Sequence, residues 1–176
     1  IEKNDKITIY AVNDNETIHD LTLIIKIISL NGEILEEEKI NISLLKHGSN
    51  QIGQISKEIN LKNIDFIRLE LISKDNCISR NDLFFTEPKN LILEKPSFNF
   101  NYKINNSKIH VQVNANNFLY KLHLSCKNQR GVFEDNFFEM LPNEQRIIEF
   151  YPSKSEGPLP SSYDFELKTF YELVKR

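Results

Sequence analysis

The 176-residue chain has no tryptophan, one methionine, two cysteines, five glycines and only two alanines, Ala11 and Ala115. Such scarcity of alanine removes the strongest helix former. No stretch approaches the roughly 20 apolar residues that a membrane-spanning helix requires, so no membrane partner is expected. A charge excess is also missing. The net charge of -3 argues against a nucleic-acid binder, which needs a basic face for the phosphates. Cys77 and Cys126 fit no CxxC or Cys/His metal spacing. They read as buried small hydrophobes or as one disulfide, and the redox compartment stays open. The chain shows no signal peptide and no initiator methionine, and it begins at Ile1 as a cut fragment or processed product would. Cytoplasmic and secreted locations are equally open.

Catalytic signatures are absent as well. There is no P-loop, GxGxxG, HExxH or GxSxG. Of His19, His47, His110 and His123, the last two fall on the polar faces of strands that could be neighbours. They lack an obvious third ligand, so solvent-facing histidines are the simpler reading. A retaining glycosidase needs two carboxylates about 5 Å apart across a cleft. Glu134 and Asp135 are adjacent and would point to opposite faces of a strand, and Glu36-Glu37-Glu38 reads as a solvated hairpin arm. Arg68, Arg80 and Arg130 are too scattered for a phosphate patch. The glycosylation patterns at Asn15, Asn41 and Asn105 are expected by chance in a chain so rich in asparagine. No catalytic, cofactor-binding or metal-binding residue is assigned, and no cofactor is expected.

What is present is β-branched. Isoleucine-rich segments with period-2 alternation favour strands: 6–14, 21–29, 33–42, 52–59, 65–75 and 77–88, then 98–104, 107–115, 120–128, 145–152 and 163–173. Asn31-Gly32 lies between two apolar strands and signals a hairpin, because both residues tolerate positive φ. Residues 47–51 read as loop. No segment carries a long helical pattern, and 136–142 reads as a short turn at most. About six strands per half, with turn signals between them, is the pattern of an all-β chain of two sandwiches, divided near Pro88 into 1–87 and 88–176. Twelve phenylalanines and six tyrosines are present. All but Tyr10, Phe66, Phe84 and Phe85 lie after that boundary. Core and interface packing is the first expectation for these rings, and a sugar-stacking platform the second. Phe137 and Phe138 cannot both face inward on a strand.

Three stretches resemble a known family. EDNFFEMLPNEQRIIEF, 134–150, is similar to the C-terminal immunoglobulin-like domain of family 2 β-mannosidases, whose pattern reads D-N-F/Y-F-D-L-L-P-G-E before an apolar strand. Asp135, Asn136, Phe137, Phe138, Leu141, Pro142 and Glu144 keep it, while Asn143 stands where the family often has glycine. YAVND, 10–14, and SRNDLFFTEPKNLIL, 79–93, resemble that family's approach to its penultimate sandwich and the junction between its last two. The resemblance implies two tandem immunoglobulin-like β-sandwich domains. The family's catalytic glutamates would lie on a barrel upstream of Ile1, so none carries over. The parent would remove terminal non-reducing β-D-mannose with retention and without a cofactor. Its upstream domains would be this region's partners, and mannose-containing oligosaccharides would be met through the parent enzyme. Within the motif, Phe138 and Leu141 are expected to anchor the corner, Pro142 to set its turn, and Asp135 and Asn136 to bond backbone. An autonomous carbohydrate-binding module and a cell-surface spacer are the alternatives.

Overall fold

The computed structural model describes residues 2–3, 6–14, 19–44, 47–56, 65–105, 108–153 and 160–174. The end of the expected strand 52–59 lies outside them, as does Asn15 of the first glycosylation pattern. Apart from the hairpin tip Leu30–Gly32, the chain forms one compact unit up to Leu91 and a second from Ile92.

The first unit holds strands β1 (Glu2–Lys3), β2 (Lys6–Asn13), β3 (His19–Ser29), β4 (Ile34–Leu44), β5 (Gly48–Ser56), β6 (Asp65–Ser73) and β7 (Asn76–Phe84). They pair antiparallel in two sheets, β1-β2-β5 and β4-β3-β6-β7. Alternation selects the inward face: Leu23, Ile25 and Ile27 of β3 join Ile67 of β6, Ile7 and Ile9 of β2 and Ile55 of β5. Branching at Cβ makes the isoleucines among them stiff and well suited to a pleated surface.

Two local expectations change here. Residues 47–51 are not loop, because β5 begins at Gly48 and pairs it with Asn13. The β3–β4 hairpin closes through three residues, Leu30 to Gly32, rather than two. Only Gly32 takes positive φ, at 89°, and the Ser29 N–H donates to the Glu33 carbonyl at 3.0 Å. A bulge between Ile27 and Ile28 absorbs the extra residue, the usual companion of a three-residue hairpin loop.

The second unit follows a single 3-10 turn at Pro88–Asn90. Its strands are β8 (Phe98–Asn105), β9 (Lys108–Ala115), β10 (Leu119–Cys126), β11 (Gly131–Phe133), β12 (Phe138–Met140), β13 (Gln145–Pro152) and β14 (Phe165–Lys168). The sheets are β11-β13-β9-β8 and β12-β10-β14. Four strands facing three is the constant-type immunoglobulin division. The expected strand 163–173 stops at Lys168, and Phe170–Val174 is a short helix, α1.

This core is mixed. Ile109, Val111 and Val113 of β9 meet Leu122 and Leu124 of β10, Met140 of β12 and Ile148 of β13. Phe150, Tyr163 and Phe165 pack edge-on or stacked at 5.4–6.0 Å, and Tyr102 and Phe133 close on the same rings. Burial raises the Tyr163 hydroxyl above its ordinary pKa. Gly131 is a steric requirement of this packing. A Cβ there would stand 2.5 Å from both the Phe150 ring and the Tyr151 carbonyl oxygen.

Candidate functional site

Residues 134–146 of the second unit make a corner in which most polar groups have a structural task. Asn136 Oδ1 accepts the Leu124 N–H at 2.8 Å, and Asn136 Nδ2 donates to the Leu124 carbonyl at 2.9 Å. One carboxamide thus replaces a strand residue beside β10. It does so just beyond the last β10–β12 pair, Leu122 with Phe138. Asp135 accepts the Asn136 N–H at 2.8 Å and pairs with Arg146 at 2.8 Å. The Arg146 guanidinium lies 4.0 Å from the Phe138 ring centroid, within cation–π range.

The far side of the corner is a turn at Pro142 and Asn143. Asn143 takes φ 63°, where asparagine and glycine are the tolerated residues. Its N–H donates to the Ala115 carbonyl at 2.9 Å, and Ala115 N–H donates to Glu144 O at 3.0 Å. Glu144 Oε2 accepts the Leu141 N–H at 2.8 Å. Phe138 and Met140 are buried, whereas Leu141 is half-buried and lies outside the core cluster. Phe137 is 57 % exposed at φ 60°, and its ring stacks on His123 with centroids 4.8 Å apart. Left-handed backbone costs a non-glycine residue roughly 1–2 kcal/mol.

The first unit carries a second constellation that sequence reading missed. On the face of β4-β3-β6-β7 opposite the core, Arg68 forks onto Asp82 through Nε at 2.9 Å and Nη2 at 2.8 Å. Both side chains are almost fully buried. Glu70 receives Lys26 at 2.7 Å and Arg80 at 3.1 Å, and Lys26 also faces Glu37 at 3.9 Å. Phe66 and Phe84 stack at 4.9 Å beside them, with the Arg68 guanidinium 5.5 Å from the Phe66 ring. Burial pushes the Glu70 carboxyl up, but the Lys26 hydrogen bond and the charges of Lys26, Arg80 and Arg68 outweigh it and hold the pKa below the ordinary value. Arg68 and Arg80 therefore do come together, each committed to a carboxylate and neither set up for phosphate. A signal existed in the sequence. Arg68 and Glu70 alternate on one strand, Arg80 and Asp82 on the next, so an antiparallel hairpin sets opposite charges face to face.

Other candidates disperse. His110 lies on β9 and His123 on β10, in different sheets. His110 faces Glu149 at 3.5 Å. The hydrogen bonds from Lys108 and from the Tyr151 hydroxyl keep the Glu149 pKa low. Among the described residues no group of three His, Cys, Asp or Glu is placed to hold a metal ion. Cys77 and Cys126 are both free thiols. No described helix is long and apolar enough to cross a membrane. A groove of about 500 Å³ opens in the first unit, lined by Tyr10, Val12, Leu21, Leu44, Leu71 and Ile78 among others. Its lining is mainly aliphatic, with no converging set of ionisable groups.

Residues 5–90 match the family described as a mannosidase Ig/CBM-like domain. Residues 93–171 match an Ig-fold domain family of mannosidases. The chain is a tandem of mannosidase immunoglobulin-like domains. No curated protein matches it. Among solved structures, the tandem is similar to a β-D-mannosidase from Dictyoglomus thermophilum. The TM-score is 0.77 at 19 % identity, over 96 % of this chain and 21 % of that one. It is also similar to an exo-chitosanase from Amycolatopsis orientalis, with a TM-score of 0.68 at 12 % identity over 93 % of this chain and 24 % of that one. At such identities the likeness establishes the fold. The mannosidase Ig tandem thus spans between a fifth and a quarter of the length of each.

Proposed function

We propose that this tandem is the non-catalytic C-terminal region of a β-mannosidase-like glycoside hydrolase. It packs against an upstream catalytic barrel and supports it, and the whole enzyme removes terminal non-reducing β-D-mannose. The observation that carries this reading is the coverage. Almost the whole tandem lies within a β-D-mannosidase fold, yet it accounts for only 21 % of that chain. The composition of the corner and the charge ladder agrees with a supporting role, since their polar groups bond to each other and to backbone. The test is hydrolysis of aryl β-mannoside and aryl β-galactoside by the full-length polypeptide that carries this chain. Preferential mannoside cleavage is expected. Cleavage of neither would overturn the assignment.

A carbohydrate-binding module is the second reading, favoured by the CBM-like description of the first family. The exposed rings of the second unit do not support a shared platform there. Phe100 sits opposite core-facing Val113, Tyr151 lies on the outer face beside Glu149, and Phe137 belongs to the other sheet's corner. Calorimetric titration of the 176-residue chain with mannan oligosaccharides decides this reading. Measurable binding would promote it over the supporting role.

A further inference from the structure

We infer that Phe137 is a docking knob that seats in an apolar pocket on a preceding domain of the same polypeptide. The inference rests on the supporting role proposed above and names the residue that performs it. Three observations converge. A bulky aromatic residue at φ 60° is a genuine backbone outlier, and such strain persists where surrounding structure enforces it, often at functional positions. Here the enforcement is visible. The Phe137 N–H donates to the Leu122 carbonyl at 2.9 Å and to Asn136 Oδ1 at 3.1 Å, and Asn136 is itself clamped on Leu124.

The ring is also not needed by its own unit. Phe138 and Met140 fill the core at this corner, and Phe137 remains 57 % exposed with one face on His123. Glycine or asparagine would satisfy the same backbone with less strain. A phenylalanine held outward in this way presents its surface to something beyond the tandem. Most of the length of the similar solved chains lies outside the region matched here, which covers 21 % and 24 % of them, so a polypeptide of that kind has ample surface to receive it.

A sugar fits the position less well. A stacking platform needs polar groups at the ring edge to bond hydroxyls. Lys121 is engaged with Glu139 at 2.7 Å, and Lys168, across from His123, with Glu166 at 3.0 Å. The ring has no polar atom of its own. An apolar protein pocket requires none of these groups.

Hydroxyl-radical footprinting of Phe137, in the full-length polypeptide and in the 176-residue chain, tests the inference. Side chains at the centre of an interface are desolvated, so oxidation should slow by at least about threefold in the full-length protein. Equal rates would overturn the inference. So would protection that appears only on adding mannan oligosaccharides, which would assign the ring to sugar. Phe137→Gly removes the ring while keeping the backbone conformation accessible. It should leave the unfolding midpoint of the 176-residue chain unchanged or raised, yet speed proteolysis at the junction preceding this tandem in the full-length protein. An unchanged cleavage rate counts against docking. Failure of the β-mannosidase reading is seen separately, as absent aryl mannoside hydrolysis by the unmodified full-length protein.

Discussion

The two units reach the same sandwich with opposite materials. The first has a core cluster made wholly of isoleucine and leucine, and its least tolerant feature is a set of buried charges on the outer face of the larger sheet. The second fills its core with interlocking rings, and its least tolerant feature is a corner held by carboxamide and carboxylate groups. Aliphatic side chains pack through shape alone and allow neighbouring registers. A charge ladder adds register, because a two-residue slip, which keeps the inward face, would set Arg68 opposite Arg80 or Glu70 opposite Asp82. Aromatic cores have fewer ways to pack, so the second unit can leave its outer faces to single pairs and fix its geometry at one irregular corner.

The ladder gives the largest expected effect. Arg68→Ala strands Asp82 in a buried site, and removing one partner of such a pair costs about 3–5 kcal/mol. Replacing both, as Arg68→Met with Asp82→Leu, should recover most of that loss. Five of the six tyrosines lie in the second unit, so near-UV circular dichroism follows that unit and amide exchange on β3 and β6 follows the first. Arg68→Ala should lower protection on β3 and β6 while the near-UV transition holds its midpoint. A parallel fall in both signals would mean that the units unfold together and that the contrast drawn here has no energetic counterpart.

The corner comes next. Asn136→Ala removes a side chain that satisfies both backbone groups of Leu124, and part-buried groups left without partners cost about 1–3 kcal/mol. The near-UV midpoint should fall, with β3 and β6 protection unaffected. Asn136→Asp keeps the acceptor and loses the donor, so it should fall between the two. Gly131→Ala is the steric counterpart. Its Cβ would meet backbone as well as the Phe150 ring at 2.5 Å, and overpacking of this kind costs about 1–3 kcal/mol. A near-UV melt of Gly131→Ala indistinguishable from the parent would show that β11 can move away without penalty.

Much of this fold could be read from the chain because alternation is a local signal. Ile109, Val111 and Val113 mark the inward face of β9 without reference to anything else. The short strands β11 and β12 gave no such signal, since three residues cannot show a period. The β5 start at Gly48 was hidden by polar turn-formers that pair with β2, a contact set by distant residues. At the corner, the pattern from Asp135 to Glu144 was legible as a resemblance, and Asx bonding to backbone followed from residue type. Met140 rather than Leu141 enters the core because it stands two residues from Phe138 on β12 and shares its inward face, a period visible only once the strand's bounds are known. The charge ladder was written in the sequence but needed the pairing of β6 with β7 to become visible.

The smallest effect concerns pH and again separates the units. The folded-state pKa of Glu70 lies below its ordinary value of 4.5. A depressed carboxylate pKa means the folded state binds the proton more weakly than the unfolded state does. The associated stability is therefore complete above about pH 4.5 and is lost as pH falls through the folded value. For this single carboxylate the change should be on the order of 1 kcal/mol. Glu149 and Glu166 of the second unit are lowered in the same direction, by Lys108 with Tyr151 and by Lys168 with Lys127, so acid weakens both units. Glu70→Gln isolates the first. It should be less stable than the parent at pH 7, by amide protection on β3 and β6, and the gap should narrow steadily as pH drops below 4.5. A gap that stayed constant across that range would show that Glu70 keeps an ordinary affinity for its proton, and that Lys26 and Arg80 contribute packing to this face with little electrostatic coupling.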